Sequence, residues 1–363
     1  MGEWRKCKLG DVAKFSYGTM PKKDKLDTGI YPTFSGYKYQ YLYPEINCKK
    51  GDVIVVARGV GGTGDVKIVR EDCYLTNLSI KIDFDNSIVD NKFFYYNYFL
   101  ETLRYLDSGS AQSQITIADL SNEYFSLPSL EEQKAIAEVL SSFDDKIDLL
   151  HRQNNTLEEL AQTLFRQWFV EEAGEGWEVG KLPDEFDFTM GLSPKGETFN
   201  EEKIGIPMYQ GNADFEFRFP KNRVYTTDPK RYAEKFDTLV SVRAPVGAQN
   251  MAKEKCCIGR GVASFRYKKD SSFYTYTYFK MKSLMDEIKQ FNDSGTVFGS
   301  INKTDFQEME ISIPPKDLVN KYQNEVKPLD DKVIQNTFQI KTLENMRDTL
   351  LPKLMGGEVR VKL

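Results

Sequence analysis

The chain is written twice. Residues 108–164 can be laid without a gap on residues 186 positions further along. Ser108-Gly109 falls on Ser294-Gly295, Ile115 on Ile301, Asp119 on Asp305 and Pro128 on Pro314. Asp144-Asp145-Lys146 then falls on Asp330-Asp331-Lys332, and Thr156-Leu157-Glu158 on Thr342-Leu343-Glu344. Two copies of one unit in one chain can fold about a pseudo-twofold axis, and such an object suits a target that has two halves.

The second part of each copy is helical. Ile136, Leu140, Phe143, Ile147, Leu150, Asn154, Leu157, Ala161, Leu164 and Trp168 are spaced alternately by four and three. So are Tyr322, Val326, Leu329, Val333, Asn336, Ile340, Leu343, Arg347, Leu350 and Leu354. A sustained period of 3.5 is the seam of a coiled coil, in which each apolar side chain enters a hole on a facing helix. With two such seams in the chain, the economical expectation is that they pack on each other, antiparallel if a twofold relates them. Each seam carries one asparagine, Asn154 and Asn336, a residue that lowers stability when buried but fixes register. A seam of this length measures roughly 50 Å at ~1.5 Å per residue. Pro328 is expected to start or kink the second helix, because a proline inside a helix costs about 3 kcal/mol.

The first part of each copy, about 1–130 and 173–315, is rich in Tyr, Phe, Gly and β-branched residues, with short strand-like runs at 53–57, 78–82, 239–242 and 262–267. Turn residues punctuate them. The expected fold is α+β: two similar mixed domains, each with a curved, mostly antiparallel sheet, joined by two long antiparallel helices. The boundaries fall at 1–130 and 173–315 for the domains, 131–172 for the first helix, and 316–363 for the second helix and tail. The closing GEVRVKL resembles the opening of each half, WRKCKL at 4–9 and WEVGKL at 177–182, which points to a cyclic arrangement with neighbouring termini.

Charge and cysteine usage narrow the function. Net charge is −5. Residues 1–130 carry 16 basic and 16 acidic side chains and residues 177–315 carry 20 of each, whereas residues 131–176 carry 4 and 11. Two neutral heads joined by an acidic segment can bind nucleic acid only through local basic patches. The longest apolar run, VIVVA at 53–57, is too short to span a bilayer, and the opening MGEWRKCKLG lacks the apolar stretch of a signal peptide. Five cysteines without CxxC spacing read as reduced thiols of a cytoplasmic protein.

Motifs for bond chemistry are missing. Gly59-Val60-Gly61-Gly62-Thr63-Gly64 fits the GxGxxG pattern of a dinucleotide phosphate loop, but that loop needs a helix next. DVKIVREDCYL follows instead, so a glycine-rich surface loop is the better reading. The lone histidine, His151, has no metal-ligand partners in sequence and reads as a surface residue of the first helix. No metal site and no bound cofactor are expected.

The first parts share landmarks. Gly18-Thr19-Met20-Pro21-Lys22 matches Gly191-Leu192-Ser193-Pro194-Lys195, and Pro32-Thr33-Phe34-Ser35-Gly36 matches Pro207-Met208-Tyr209-Gln210-Gly211. Asp52 and Arg58 match Asp237 and Arg243. Between these the loops diverge in sequence and length. Drift after duplication would give this, and so would two different recognition surfaces on one scaffold.

With these landmarks and the junction GSAQSQITIADLSNEYFSLPSLEEQKAI at 109–136, the chain resembles the specificity subunit of Type I restriction-modification systems. GTMPKK, FSGY and GDVIVVARG are similar to scaffold motifs of that family. The second copy departs at Glu132-Gln133, replaced by Leu318-Val319, which questions any polar contact made by that pair.

The resemblance implies a non-catalytic subunit whose two domains each read half of an asymmetric bipartite site in double-stranded DNA. The helices would fix the gap and dock two modification (methyltransferase) subunits, with restriction subunits joining afterwards. S-adenosylmethionine and ATP with magnesium would then sit on those partners. On that expectation the DNA-contacting candidates are Lys22, Lys23, Tyr37, Arg58, Thr63 and Asn77 in the first domain. In the second they are Lys195, Gln210, Asn212, Arg218, Arg243 and Arg260. Arg58 and Arg243, being a matched pair, suit phosphates better than bases, since duplicated residues cannot encode different sequences. The alternative is a helical scaffold whose two heads bind other proteins.

Overall fold

A computed structural model describes residues 4–36, 38–59, 62–107, 113–174, 177–291 and 299–362. The chain divides into two compact units, Met1–Asp148 with Lys341–Leu363, and Leu149–Ile340. Each has its own core and takes one segment from each of the two long helices, Leu130–Arg166 and Lys316–Met355.

In the first unit, Arg5–Lys8 pairs antiparallel with Tyr124–Leu127. A four-stranded antiparallel sheet follows in the order Ala13–Tyr17, Ser79–Phe84, Val53–Val56, Val66–Ile68. All four residues of Val53–Val56 are buried, as a β-branched strand covered on both faces should be. A second sheet holds Lys38–Tyr43, Tyr31–Ser35 and Tyr74–Leu75, the last pair parallel. Asp90 caps the helix Asn91–Asn97, and Thr116 with Asp119 closes a capping box on Ile117–Asn122.

The second unit repeats this order. Glu178–Lys181 pairs with Glu310–Ile313. Phe186–Met190, Val262–Tyr267, Thr238–Ser241 and Gln249–Met251 form the four-stranded sheet. Its companion holds Phe199–Asn200, Tyr225–Thr226, Ile206–Tyr209, Cys256–Ile258 and Tyr232–Ala233, again with one parallel pair. Asn302 and Asp305 repeat the capping box on Lys303–Glu308. Where one curved sheet was expected, each domain holds three: a two-stranded pair, the four-stranded sheet, and a further sheet with one parallel pairing (Thr33 with Tyr74, Met208 with Cys257).

The long helices run antiparallel. In the first unit Arg347 Nη1 lies 2.5 Å from Asp144 Oδ1. In the second, Asn336 Nδ2 donates to Asn154 Oδ1 at 2.9 Å and Tyr322 Oη donates to the Ala161 carbonyl at 3.0 Å. The seam residues Leu140, Ile147, Asn154, Val326, Val333, Asn336 and Ile340 are buried, and Phe143, Leu157, Leu164, Leu329, Leu343 and Leu350 are half-buried. Pro328 does not start a helix: the second long helix begins at Lys316 and continues through it. Pro328 is exposed on that helix.

The doubt over Glu132-Gln133 resolves in the same framework. Gln133 is fully buried; it accepts from the Asp90 N–H at 2.9 Å and donates to the Ile88 carbonyl at 2.9 Å. In the second unit Gln323, one turn beyond the aligned Val319, accepts from the Tyr276 N–H and donates to the Ser272 carbonyl. The polar lock on the neighbouring helix is kept and its donor has moved one turn. Glu132 instead pairs with Arg360 of the tail at 2.9 Å, within the first unit.

The GxGxxG segment is not a phosphate loop. Gly59 and Gly64 take positive φ values of 137° and 95°, and the strand Val66–Ile68 follows where a helix would be required. Val60 and Gly61 lie outside the described residues.

Candidate nucleic-acid interface

A shared set of backbone hydrogen bonds builds one end of each unit. The Gly18 N–H donates to Ser79 O at 3.1 Å, and Gly191 to Val262 O at 2.9 Å. Thr19 to Leu75 O (3.0 Å) is repeated by Leu192 to Ile258 O (3.0 Å), and Thr76 to Phe34 O (3.0 Å) by Gly259 to Tyr209 O (2.8 Å). Ala57 to Leu78 O (2.8 Å) is repeated by Val242 to Gly261 O (2.9 Å), and Ile115 to Ala57 O (2.9 Å) by Ile301 to Val242 O (3.1 Å). Arg58 bridges Gln114 as Arg243 bridges Ser300. These bonds gather three segments in each unit: 18–23, the strand end at 34–36 and 76–79 in the first, 191–195, 210–212 and 259–262 in the second. The glycines are required by close approach, since a Cβ on Gly18 would lie 2.2 Å from Thr76 O and one on Gly191 2.1 Å from Gly259 O.

The matched Asp52 and Asp237 are structural. Asp52 accepts from the Lys49 N–H at 2.8 Å and pairs with Lys81 at 2.8 Å. Asp237 accepts from the Glu234 N–H at 2.8 Å and pairs with Arg266 at 2.7 Å. Burial opposes the charge on Lys81, but its bonds to Asp52 and Asp83 win and its pKa rises to about 12.

Most expected contact residues lie on this end. Lys22 and Lys195 are exposed and occupy the same position, immediately before the single helical turns Lys23–Lys25 and Gly196–Thr198. Lys23 is exposed, and Asn77 is half-buried in the 76–79 turn. Gln210 is exposed and accepts from Ser193 Oγ at 2.7 Å, while the same hydroxyl accepts from the Arg260 N–H at 3.1 Å. Arg260 and Arg243 present exposed side chains, Asn212 a half-buried one. Arg58 is half-buried with its Nε buried and unpaired among the described residues. Tyr37 lies outside the described residues.

Two expectations are corrected. Arg218 is fully buried: it meets Asp330 at 3.1 Å and Glu158 at 3.4 Å, and its guanidinium lies 3.9 Å from the centre of the Tyr278 ring. It neutralises carboxylates of the two long helices and has no free face for a base. Thr63 is 3% exposed and donates to the Gly59 carbonyl at 3.0 Å, which closes the glycine loop on itself.

One exposed element is absent from the expected set, the strand Lys38–Tyr43. Its signal was present as the alternating KYQYLY, which reads as a half-exposed strand carrying polar and aromatic side chains. Among the described residues no cluster of His, Cys, Asp and Glu could hold a metal ion, and the five cysteines are free and buried. No helix among the described residues is long and apolar enough to cross a membrane.

Comparison with known proteins agrees with this geometry. The sequence model of the Type I restriction modification DNA specificity domain matches residues 1–159 and again 174–344, once per copy. The HindI specificity subunit of Haemophilus influenzae, a type I restriction enzyme component, is 24% identical, with 99% of this chain and all of the relative aligned. A Methanocaldococcus jannaschii protein described as the type I MjaX specificity subunit is 31% identical over 267 residues, 69% of this chain, and the match spans 63% of that relative's length. The crystal structure of a Type I S subunit from M. genitalium superposes with a TM-score of 0.71 at 22% identity, over 99% of this chain and 96% of that one, a likeness of fold.

Proposed function

The chain belongs to the family of Type I restriction-modification specificity subunits, and from that premise we propose that it selects DNA for partner enzymes and carries out no bond chemistry itself. Residues 1–130 and 173–315 each read one half of an asymmetric, interrupted site in duplex DNA. The helical segments 131–172 and 316–363 set the gap and receive two modification subunits, which hold S-adenosylmethionine and methylate adenine. Restriction subunits using ATP and magnesium join that assembly. The system works in the cytoplasm, where its DNA is.

The observation that carries this reading is the repeated backbone frame with unlike side chains. Lys22 and Lys195 recur at the same place, as phosphate contacts common to any sequence would. The accessible side chains beside them differ, Asn77 against Arg260, as readers of two unlike half-sites must. A seam of roughly 50 Å at ~1.5 Å per residue limits half-site centres to about fifteen base pairs apart at ~3.4 Å per pair.

The test is assembly and retention. Co-expressed with its modification subunits, the chain is expected to purify with two of them and to retain a sequence-defined subset of fragmented genomic duplex. Failure to assemble, or retention independent of sequence, contradicts the proposal.

A further inference from the structure

The sharpest internal difference between the two units lies in a strand. In the first, Tyr31–Ser35 and Lys38–Tyr43 form a hairpin around Gly36, with pairs running from Ser35 with Lys38 to Tyr31 with Tyr43. The second unit repeats only the far end of that ladder. Pro207 with Tyr225 and Ile206 with Thr226 stand where Pro32 pairs with Leu42 and Tyr31 with Tyr43. The hairpin tip is replaced by residues 210–224, of which Arg218 and Phe219 are buried. Residues 38–41 therefore have no counterpart.

The hairpin is firmly held. Tyr39 packs on Phe34 with ring centroids 5.0 Å apart, and Tyr43, 1% exposed, packs on Tyr74 at 4.1 Å. A register shift between Pro32 and Phe34 puts a bulge in the longer strand, so Tyr39 and Tyr43 anchor it from opposite faces. Lys38, Gln40, Tyr41 and Leu42 are exposed. Gln40 makes no hydrogen bond to another described residue. Three contacts fix the frame beneath it: Arg70 N–H to Tyr39 Oη at 3.2 Å, Lys22 N–H to Tyr43 Oη at 3.2 Å, and Leu42 N–H to Asp27 Oδ1 at 3.1 Å. An amide held on a rigid strand keeps its direction, which a readout of base edges needs.

A two-stranded ribbon fits the major groove of B-form DNA. A glutamine amide can accept from N6 and donate to N7 of adenine, a lysine donates to guanine, and an apolar side chain meets the thymine methyl. Resting on the reading of this chain as a DNA specificity subunit, we propose that the exposed side chains of residues 38–42 read bases in one half-site, and that Gln40 selects an adenine there.

The test uses the whole chain co-expressed with its modification subunits, with methylated adenines mapped across the host genome. Gln40→Ala is expected to relax one base position in one half of the motif by roughly 5- to 150-fold and to leave the other half unchanged. If methylation is lost altogether, selection from randomised duplexes by the purified assembly decides at the level of binding. Loss of preference at one position supports the assignment; an unchanged motif, or even weakening at every position, overturns it. A wild-type assembly without any split motif would instead remove the specificity-subunit reading on which the hairpin assignment rests.

Discussion

Asn336 donates from Nδ2 to Oδ1 of Asn154 at 2.9 Å, and both side chains are fully buried between the long helices. The lone asparagine of each seam therefore meets the other, and Asn154 Nδ2 goes on to Thr337 Oγ1 at 3.4 Å. Oδ1 of Asn336 has no partner among the described residues, so the pair is incompletely satisfied. Its value is register rather than stability. Asn154→Leu alone should cost about 1–3 kcal/mol, because it strands the partner amide. The double variant with Asn336→Leu should be at least as stable as the wild type. Urea unfolding of the four proteins in a double-mutant cycle measures this; a double variant as weak as the single one would contradict it.

Arg218 and Arg347 solve one problem by different routes. Asp144 and Asp330 are repeat-related. Arg347, on the second helix, meets Asp144 at 2.5 Å and lies over the Phe99 ring at 4.4 Å. The helix position that would repeat Arg347 is Ala161, and Arg218 comes from a loop instead to meet Asp330 and Tyr278. Arg218→Ala should destabilise by about 3–5 kcal/mol, since it leaves a buried carboxylate unpaired. It should leave the recognised motif and the salt slope of DNA binding unchanged. Unfolding curves and salt-dependent titrations separate this from the phosphate role expected from sequence.

Lys22 and Lys195 supply the matched test of phosphate binding. Lys22→Ala and Lys195→Ala should each weaken the assembled complex on every duplex alike. Each should reduce the slope of log K against log salt by about 1. A change in the preferred sequence, with the slope intact, would make these lysines base readers.

Glu185 carries the pH prediction. It is 2% exposed, accepts from Tyr276 Oη at 2.6 Å, and has Oε2 without a partner among the described residues. Burial raises its pKa above the ordinary 4.5, against the opposing pull of Lys280, the Tyr276 hydrogen bond and Lys269. A carboxyl with a raised folded-state pKa contributes stability that is full below the unfolded value and is lost as pH rises through the folded one. Glu185→Gln should therefore match the wild type in stability below the ordinary value and exceed it at neutral pH. Melting temperatures of both proteins at several pH values check the sign; a neutral-pH loss would show that the ionised carboxylate is stabilising.

The helices were legible because periodicity is a property of the backbone: a 3.5-residue repeat admits few other structures. The strands at 53–57 and 262–267 were legible as short runs rich in apolar and β-branched residues between turn residues. Arg218 was not, because an arginine among phenylalanines in FEFRF has the same local sequence whether it faces DNA or a buried aspartate. The flanking Phe215 and Phe219 were the available signal. Thr63 was misplaced because a glycine-rich loop gives no sign of which way it folds. Gln323 was hidden by alignment, which compares positions while the fold preserves a hydrogen bond. The hairpin at Lys38–Tyr43 carries no mark of this kind, because the duplication flags only what both halves share and a reader of one half-site has no duplicate.

The central claim is that two like frames with unlike faces read a split target. Methylated adenines should be mapped in cells that contain the modification subunits, with and without this chain. Methylation is expected to depend on the chain and to fall on two short blocks, different from each other and separated by one constant gap. A continuous motif, two identical blocks, or methylation that persists without the chain would contradict it.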